Sequence, residues 1–175
     1  MKKKILVPLF MSLLPFTSLM ASEATILKVS KTINSKNVLH YKVEYDERTC
    51  EIRSDVFADW KMGEEDGRWK PLSESAGFIE KPLRPHSSIL SGSEVIFVTE
   101  SMNEFASKKI IDHEQVTVRA ERDESGNCSL TNEIIIKGRR FNVTQLHSKV
   151  TIFGSVKWVE VYAEDESGKQ VKMKL

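Results

Sequence analysis

The closing stretch of the chain, VTIFGSVKWVEVYAEDESGKQVKMKL over Val150–Leu175, constrains the fold more than any other. Successive side chains on a strand point to opposite faces, so a period of two marks a half-buried strand. Gln170–Leu175 sets Val171, Met173 and Leu175 against Gln170, Lys172 and Lys174. In Val156–Ala163 one face carries Lys157, Val159, Val161 and Ala163, and the other Val156, Trp158, Glu160 and Tyr162. Between the two runs lie Asp165, Ser167 and Gly168. Asp can cap its own turn, and Gly takes positive φ without a Cβ clash. The segment therefore predicts a β-hairpin with a basic outer face. A slip of one residue would bury Lys172 and Lys174, so the register is well specified.

The same period recurs along the chain. Leu27 and Val29 mark a first strand within Ala24–Ile33, and Leu39, Tyr41, Val43 and Tyr45 a second within Asn37–Tyr45. Ser54–Met62 alternates Val56, Ala58, Trp60 and Met62 with polar neighbours. Glu94–Thr99 is a continuous apolar run, as in a strand buried on both faces. Val116–Glu121 and Cys128–Ile136 alternate again, and Arg139–Phe153 supplies one long or two short strands. Pro71–Ser93, with Pro71, Pro82 and Pro85, reads as a long loop with one short helical turn near Ser73–Phe78. Ser101–Ile111 is ambiguous. Ser101 and Glu104 have capping-box spacing above a stripe of Met102, Phe105, Ala106 and Ile110, but the surrounding strands favour a loop and then a strand over Phe105–Ile111. Roughly eight to ten short strands result, which predicts an all-β, single-domain antiparallel β-sandwich. A closed lipocalin-like barrel is the alternative, because both architectures use the same alternation.

The chain opens with Lys2, Lys3 and Lys4 before an uncharged apolar run, Ile5–Met20, followed by the small residues Ala21, Ser22 and Ala24. This is the pattern of a secretory signal peptide over residues 1–21, leaving 22–175 as one β-rich domain. Export to the periplasm or beyond is the expectation, with no transmembrane segment after cleavage. Removing three lysines changes the balance from 26 Lys+Arg against 25 Asp+Glu to 23 against 25, a net charge of −2. No basic block argues for nucleic acid. In an oxidising compartment Cys50 and Cys128 are most simply read as one disulfide.

Motifs that carry chemistry are sparse. His40, His86, His113 and His147 are scattered without the close pairing of a zinc site. On a strand, His113 would face away from Asp112 and Glu114. Asp123–Gly126 and Asp165–Gly168 share the residues DESG and read as turns rather than calcium loops. The chain has no Gly-x-Ser-x-Gly, no Walker A motif and no HExxH. No catalytic residue, metal ligand or cofactor is assigned. Trp60 is expected in the core. Trp69, beside the Gly67 turn, and Trp158, on a mixed face with Glu160, are the candidates for exposed binding aromatics.

Three segments together resemble an exported bacterial family catalogued as domain of unknown function 4833. Asn34-Ser35-Lys36-Asn37-Val38-Leu39-His40-Tyr41 is similar to its Asn-x-x-Asn-Val-x-x-Tyr opening strand. Val56–Met62 with Trp60, the Gly67 turn and Leu72-Ser73 resemble its tryptophan strand and following loop. Ile136-Lys137-Gly138-Arg139 through Val159–Tyr162 to Gly168-Lys169 resemble its C-terminal portion. The resemblance implies export and a β-rich fold, and brings no catalytic residues. Ile79–Ser93 and the pair Cys50/Cys128 have no counterpart in it.

The functional expectation is an exported, non-catalytic binding or envelope-associated module whose partner is a protein, a polymer or a small molecule. A small-molecule or lipid carrier in a closed barrel is the second reading, although a lipocalin-type Gly-x-Trp near the first strand is missing. An envelope-polymer hydrolase with acids near the Pro71–Ser93 loop is the third, since paired carboxylates converge in space without leaving a sequence spacing.

Overall fold

The computed structural model describes residues 21–30, 38–61, 69–71, 83–150 and 156–175. The strands are β1 (Ser22–Ser30), β2 (Val38–Asp46), β3 (Glu51–Ile52), β4 (Phe57–Lys61), β5 (Trp69–Pro71), β6 (His86–Ser91), β7 (Glu94–Val98), β8 (Val116–Arg122), β9 (Cys128–Ile136), β10 (Arg139–Val150), β11 (Val156–Asp165) and β12 (Gln170–Lys174). Among the described residues one helix, α1 (Glu100–Ser107), joins β7 to β8. The fold is all-β in class.

The 12 strands form one sheet, in the order β5-β4-β2-β1-β10-β9-β8-β7-β6, with β11 and β12 continuing from the other side of β10 and β3 attached to β2. The pairing is mixed, because β1 runs parallel to β10. Instead of two separate antiparallel layers, this continuous sheet curls into a half-barrel. Its arms meet around a core that includes Leu27, Tyr41, Val43, Val95, Phe97, Val118, Ile134, Val143 and Val161. The Tyr41 and Phe97 rings, from β2 and β7, lie 5.2 Å apart. Burial pushes the Tyr41 phenol well above its ordinary pKa, and its hydroxyl donates to Leu83 O at 2.8 Å. Side chains thus fill the inside of the curl.

Several bonds stitch the arms together. Ile52 N donates to Gly92 O at 2.6 Å, and Val56 N donates to Ser87 Oγ at 3.1 Å. The Arg122 guanidinium donates to Arg48 O. Cys50 and Cys128 form the expected disulfide, with a Cα–Cα distance of 5.3 Å. It ties the β2–β3 turn to the start of β9, far apart in the order of the sheet.

Two bulges decide which residues face the core. In β1 the register shifts between Thr25 and Leu27, so the consecutive residues Ile26 and Leu27 are both buried. In β10 it shifts between Val143 and Gln145. Before the shift Phe141 and Val143 face inward; after it Leu146 and Ser148 do. A bulge adds one residue to one strand and so inverts the parity of everything beyond it. Thr144, the extra residue, holds its place by donating Oγ1–H to Tyr162 O at 3.2 Å.

On its other side β10 exchanges one partner for another. Arg139–Asn142 pair with β9, whereas Gln145–His147 pair with β1. The ladder opens where β9 and β1 part. Asn132 of β9 closes the gap, donating Nδ2–H to Ile26 O at 3.1 Å and to Val143 O at 2.8 Å.

The structure corrects three local expectations. Ser101–Ile111 opens as helix α1 and holds no strand. Thr99, not Ser101, is the N-cap, with Oγ1 accepting from Met102 N at 3.1 Å. Met102 and Phe105, three residues apart, share a helical face and are both buried, so packing favours helix over local strand context. The run Pro71–Ser93 is not all loop, since β6 occupies His86–Ser91 and pairs with β7. The helical turn expected near Ser73–Phe78 lies outside the described residues. The run Glu94–Thr99 is buried on one face, through Val95 and Phe97, and half-buried on the other.

Candidate binding face

The inverted parity of β10 assembles a polar face on the side of the sheet away from the core. Strand registers align it in two rows. One runs Lys174, Glu160, His147, Ser30, Val38, Lys61 across β12, β11, β10, β1, β2 and β4. The other runs Lys172, Tyr162, Gln145, Lys28, His40, Asp59 across the same strands.

The middle of this face is buried. Ser30 is 5% exposed, and His147 and Glu160 are 9% each. Three other buried polar residues have plain structural duties: Asp46 caps a turn, Thr99 caps α1 and Asn132 fills the split between strands. Ser30 Oγ is hydrogen-bonded to His147 Nδ1. The other ring nitrogen, Nε2, lies 3.3 Å from Gln145 Nε2. With the Gln145 amide nitrogen donating, Nε2 is the acceptor and Nδ1–H donates to Ser30 Oγ. In that state the Ser30–His147 bond clasps β1 to β10. The His147 ring also meets Tyr162 edge-on, with centroids 5.2 Å apart.

Beyond the clasp the face becomes aromatic and cationic. Tyr162 OH donates to Glu160 Oε2 at 3.3 Å, and Lys172 Nζ lies 3.3 Å from the same oxygen. Hydrogen bonding with Tyr162 and then Glu160 raises the Lys172 pKa. Lys172 Nζ sits 5.0 Å from the centre of the Tyr162 ring, and Lys174 Nζ 4.5 Å from that of Trp158. At the far end of the rows Lys42 bridges Glu23 at 2.6 Å and Asp59 at 2.8 Å. Those two bonds outweigh burial and raise its pKa. Burial, then Lys28 and Lys42, lower the pKa of His40 against the opposing pull of Asp59.

Of the two tryptophans singled out by sequence, Trp158 stands on this face, half-buried under Lys174. Trp69 begins β5, and its side chain lies outside the described residues. Trp60 packs against the core as expected. Sequence reasoning missed Ser30, His147 and Gln145, and placed Glu160 only as a neighbour of Trp158. Their convergence depends on the β10 bulge, for which the only local hint is a polar Thr144-Gln145 interrupting an alternating strand.

The DESG segments are turns. Asp123 Oδ1 accepts from Ser125 N at 2.9 Å and Asn127 N at 2.8 Å. Asp165 Oδ1 accepts from Ser167 N at 3.0 Å and Lys169 N at 3.1 Å. Gly126 and Gly168 have φ of 83° and 76°. His113 is in the connection from α1 to β8, not on a strand, and lines a cleft of about 740 Å³ with Asp112, Glu114 and Glu133. Two of those carboxylates have partners: Asp112 accepts from Gly138 N, and Glu133 bridges Arg119 at 2.9 Å.

No protein-family model, curated protein or solved structure matches the chain.

Proposed function

We propose that this chain is an exported, non-catalytic binding module that engages an acidic envelope polymer through the outer face of β10, β11 and β12. The observation that carries the reading is the pairing of Lys174 with Trp158 and of Lys172 with Tyr162 on one continuous face. An aromatic ring offers apolar area to a sugar ring at little entropic cost, and an adjacent ammonium meets an acid group on the same sugar. The Ser30–His147 clasp supports the role by fixing β1 and β10 beneath the platform. The signal-like leader and the resemblance to family 4833 enter the same reading. So does a sandwich-like role for the two arms of the curl, which face one another across the core.

Retention of the purified protein on immobilised polygalacturonate, against neutral dextran, tests the proposal. Retention on the acidic polymer alone is expected, falling about tenfold in Trp158→Ala and in Lys172→Gln, a loss of the size seen for a well-placed interface residue. Equal retention on dextran, or variants that bind like the parent, would overturn it.

A further inference from the structure

The curl leaves a second feature on the opposite side of β12. A groove of about 320 Å³ lies between the β9–β10 turn and β12, lined by Ile136, Lys137, Arg139, Phe141, Met173, Lys174 and Leu175. Ile136 and Phe141 belong to the core, at 2% and 4% exposed, and Met173 and Leu175 are half-buried against it. The groove is therefore a place where the hydrophobic interior reaches the surface.

The side-chain charge of its described lining is one-sided. The charged side chains there are Lys137, Arg139 and Lys174, with no Asp or Glu among the described lining residues. The Lys174 ammonium lies over the Trp158 ring on the other face. Arg139 is placed differently, with its guanidinium 5.3 Å from the centre of the Phe141 ring and so against the apolar wall. The field of Arg139 also reaches Asp165, but that carboxylate accepts from the Ser167 hydroxyl and from backbone amides of its own turn. The Leu175 amide donates to Val159 O at 2.8 Å, and the Leu175 main-chain oxygen accepts from Val159 N at 3.0 Å. A guanidinium beside a hydrocarbon wall is the complement of an anionic head on an apolar tail. The planar fork of Arg suits a carboxylate in particular.

We infer that this groove binds a single-chain fatty acid, its carboxylate on Arg139 and Lys137 and its chain along Ile136, Phe141, Met173 and Leu175. The volume is at the low end for ligand pockets, which suits one chain rather than a two-chain phospholipid. This site differs from the carrier expected from sequence, whose ligand would lie within a closed barrel. Here side chains fill the interior, and the ligand lies at its rim. The inference does not depend on the outer-face reading.

Calorimetric titration of the purified protein with dodecanoate, below its micellar concentration, tests it. Dodecyltrimethylammonium is the comparison of equal chain length and opposite charge. Saturable binding of one dodecanoate is expected, weakened about tenfold or more by Arg139→Gln, on the scale of a lost charge-assisted bond. Met173→Asp, which sets a carboxylate in the apolar wall, weakens it as well, whereas Lys172→Gln on the outer face leaves it unchanged. Arg139 and Met173 lie outside the fully buried core, and matched circular dichroism spectra establish that the variants fold. Absent or non-saturable dodecanoate binding, equal binding of the cationic amphiphile, or indifference to Arg139→Gln and Met173→Asp would each overturn the inference.

Discussion

His147 stands directly opposite Glu160 across β10 and β11, on the face away from the core. Strict alternation from Phe141 and Val143 would instead have driven His147 into the interior. The one-residue bulge at Thr144 makes the difference. Deleting Thr144 would remove the extra residue and leave strict alternation, with Val143 and Leu146 inward and Gln145 and His147 outward as they now stand. The expected result is a chain that keeps its fold and core, with a stability change within about 1 kcal/mol, the scale of the one side-chain bond lost. Thr144→Ala keeps the extra residue and removes only the bond to Tyr162 O, for a loss of about 1 kcal/mol. Urea unfolding of the two variants measures both changes. A loss of several kcal/mol on deletion alone would mean that Thr144 is not the extra residue and that the faces beyond Val143 depend on it.

The disulfide closes a long loop, with a sequence separation of 78, across the mouth of the curl. Replacing Cys50 and Cys128 together with Ala is expected to lower stability by about 4 kcal/mol through the wider freedom of the unfolded chain. The stitches at Ile52–Gly92 and Val56–Ser87 remain, so the variant should keep its β-rich circular dichroism spectrum. An unchanged urea midpoint would show that these bonds hold the arms without the covalent tie.

Most strands were legible because one face of each must be buried while the other is solvated. Val171, Met173 and Leu175 against Lys172 and Lys174 is the clearest case, and Gly168 and Asp165 set its turn as their chemistry requires. The parallel pairing of β1 with β10 was not legible, since alternation fixes which face a side chain takes but not which strand lies alongside. The helix was missed because its apolar stripe is short and the surrounding strands outweighed it, although Met102 and Phe105, three residues apart, share a face only on a helix; the cap one residue before Glu100 decides it. The candidate face was least legible. Trp158 could be picked out by its mixed neighbours, but Ser30 and His147 are 117 residues apart, and their meeting depends on two bulges without a distinctive composition.

Asp46, Asp123 and Asp165 make the same bet on ionisation. Backbone amides lead in holding the first two carboxyls low: that of Thr49 with that of Arg48 for Asp46, and that of Asn127 for Asp123. The Ser167 hydroxyl leads for Asp165. Each pKa is depressed on folding, so each group's contribution is present above the ordinary carboxylate value of about 4 and is lost as pH falls through the folded value. Thermal midpoints should therefore drop steadily between about pH 4 and pH 2. Asp123→Asn with Asp165→Asn should flatten that slope while lowering the midpoint slightly at neutral pH. An acid slope identical to the parent's would remove these turns as its source.

Asn132 offers the sharpest test of how the sheet changes partners. Its amide supplies donors to two backbone carbonyls, Ile26 O and Val143 O, where β1 and β9 diverge from β10. Its own Oδ1 is buried without a partner among the described residues. Asn132→Leu is close in volume, removes that orphan acceptor and leaves two buried carbonyls unbonded, for an expected net loss of about 1–3 kcal/mol. Asn132→Asp is expected to be worse. An ionised carboxylate cannot donate to either carbonyl and adds a buried charge with no cation beside it in these bonds. Its deficit should shrink as pH falls and the acid regains one O–H donor, opposite in sign to the trend set by Asp46, Asp123 and Asp165. Urea midpoints of the three proteins at pH 7 and pH 4 decide the matter. If Asp is tolerated as well as Leu at both, the split between β9 and β1 is closed by something other than this amide.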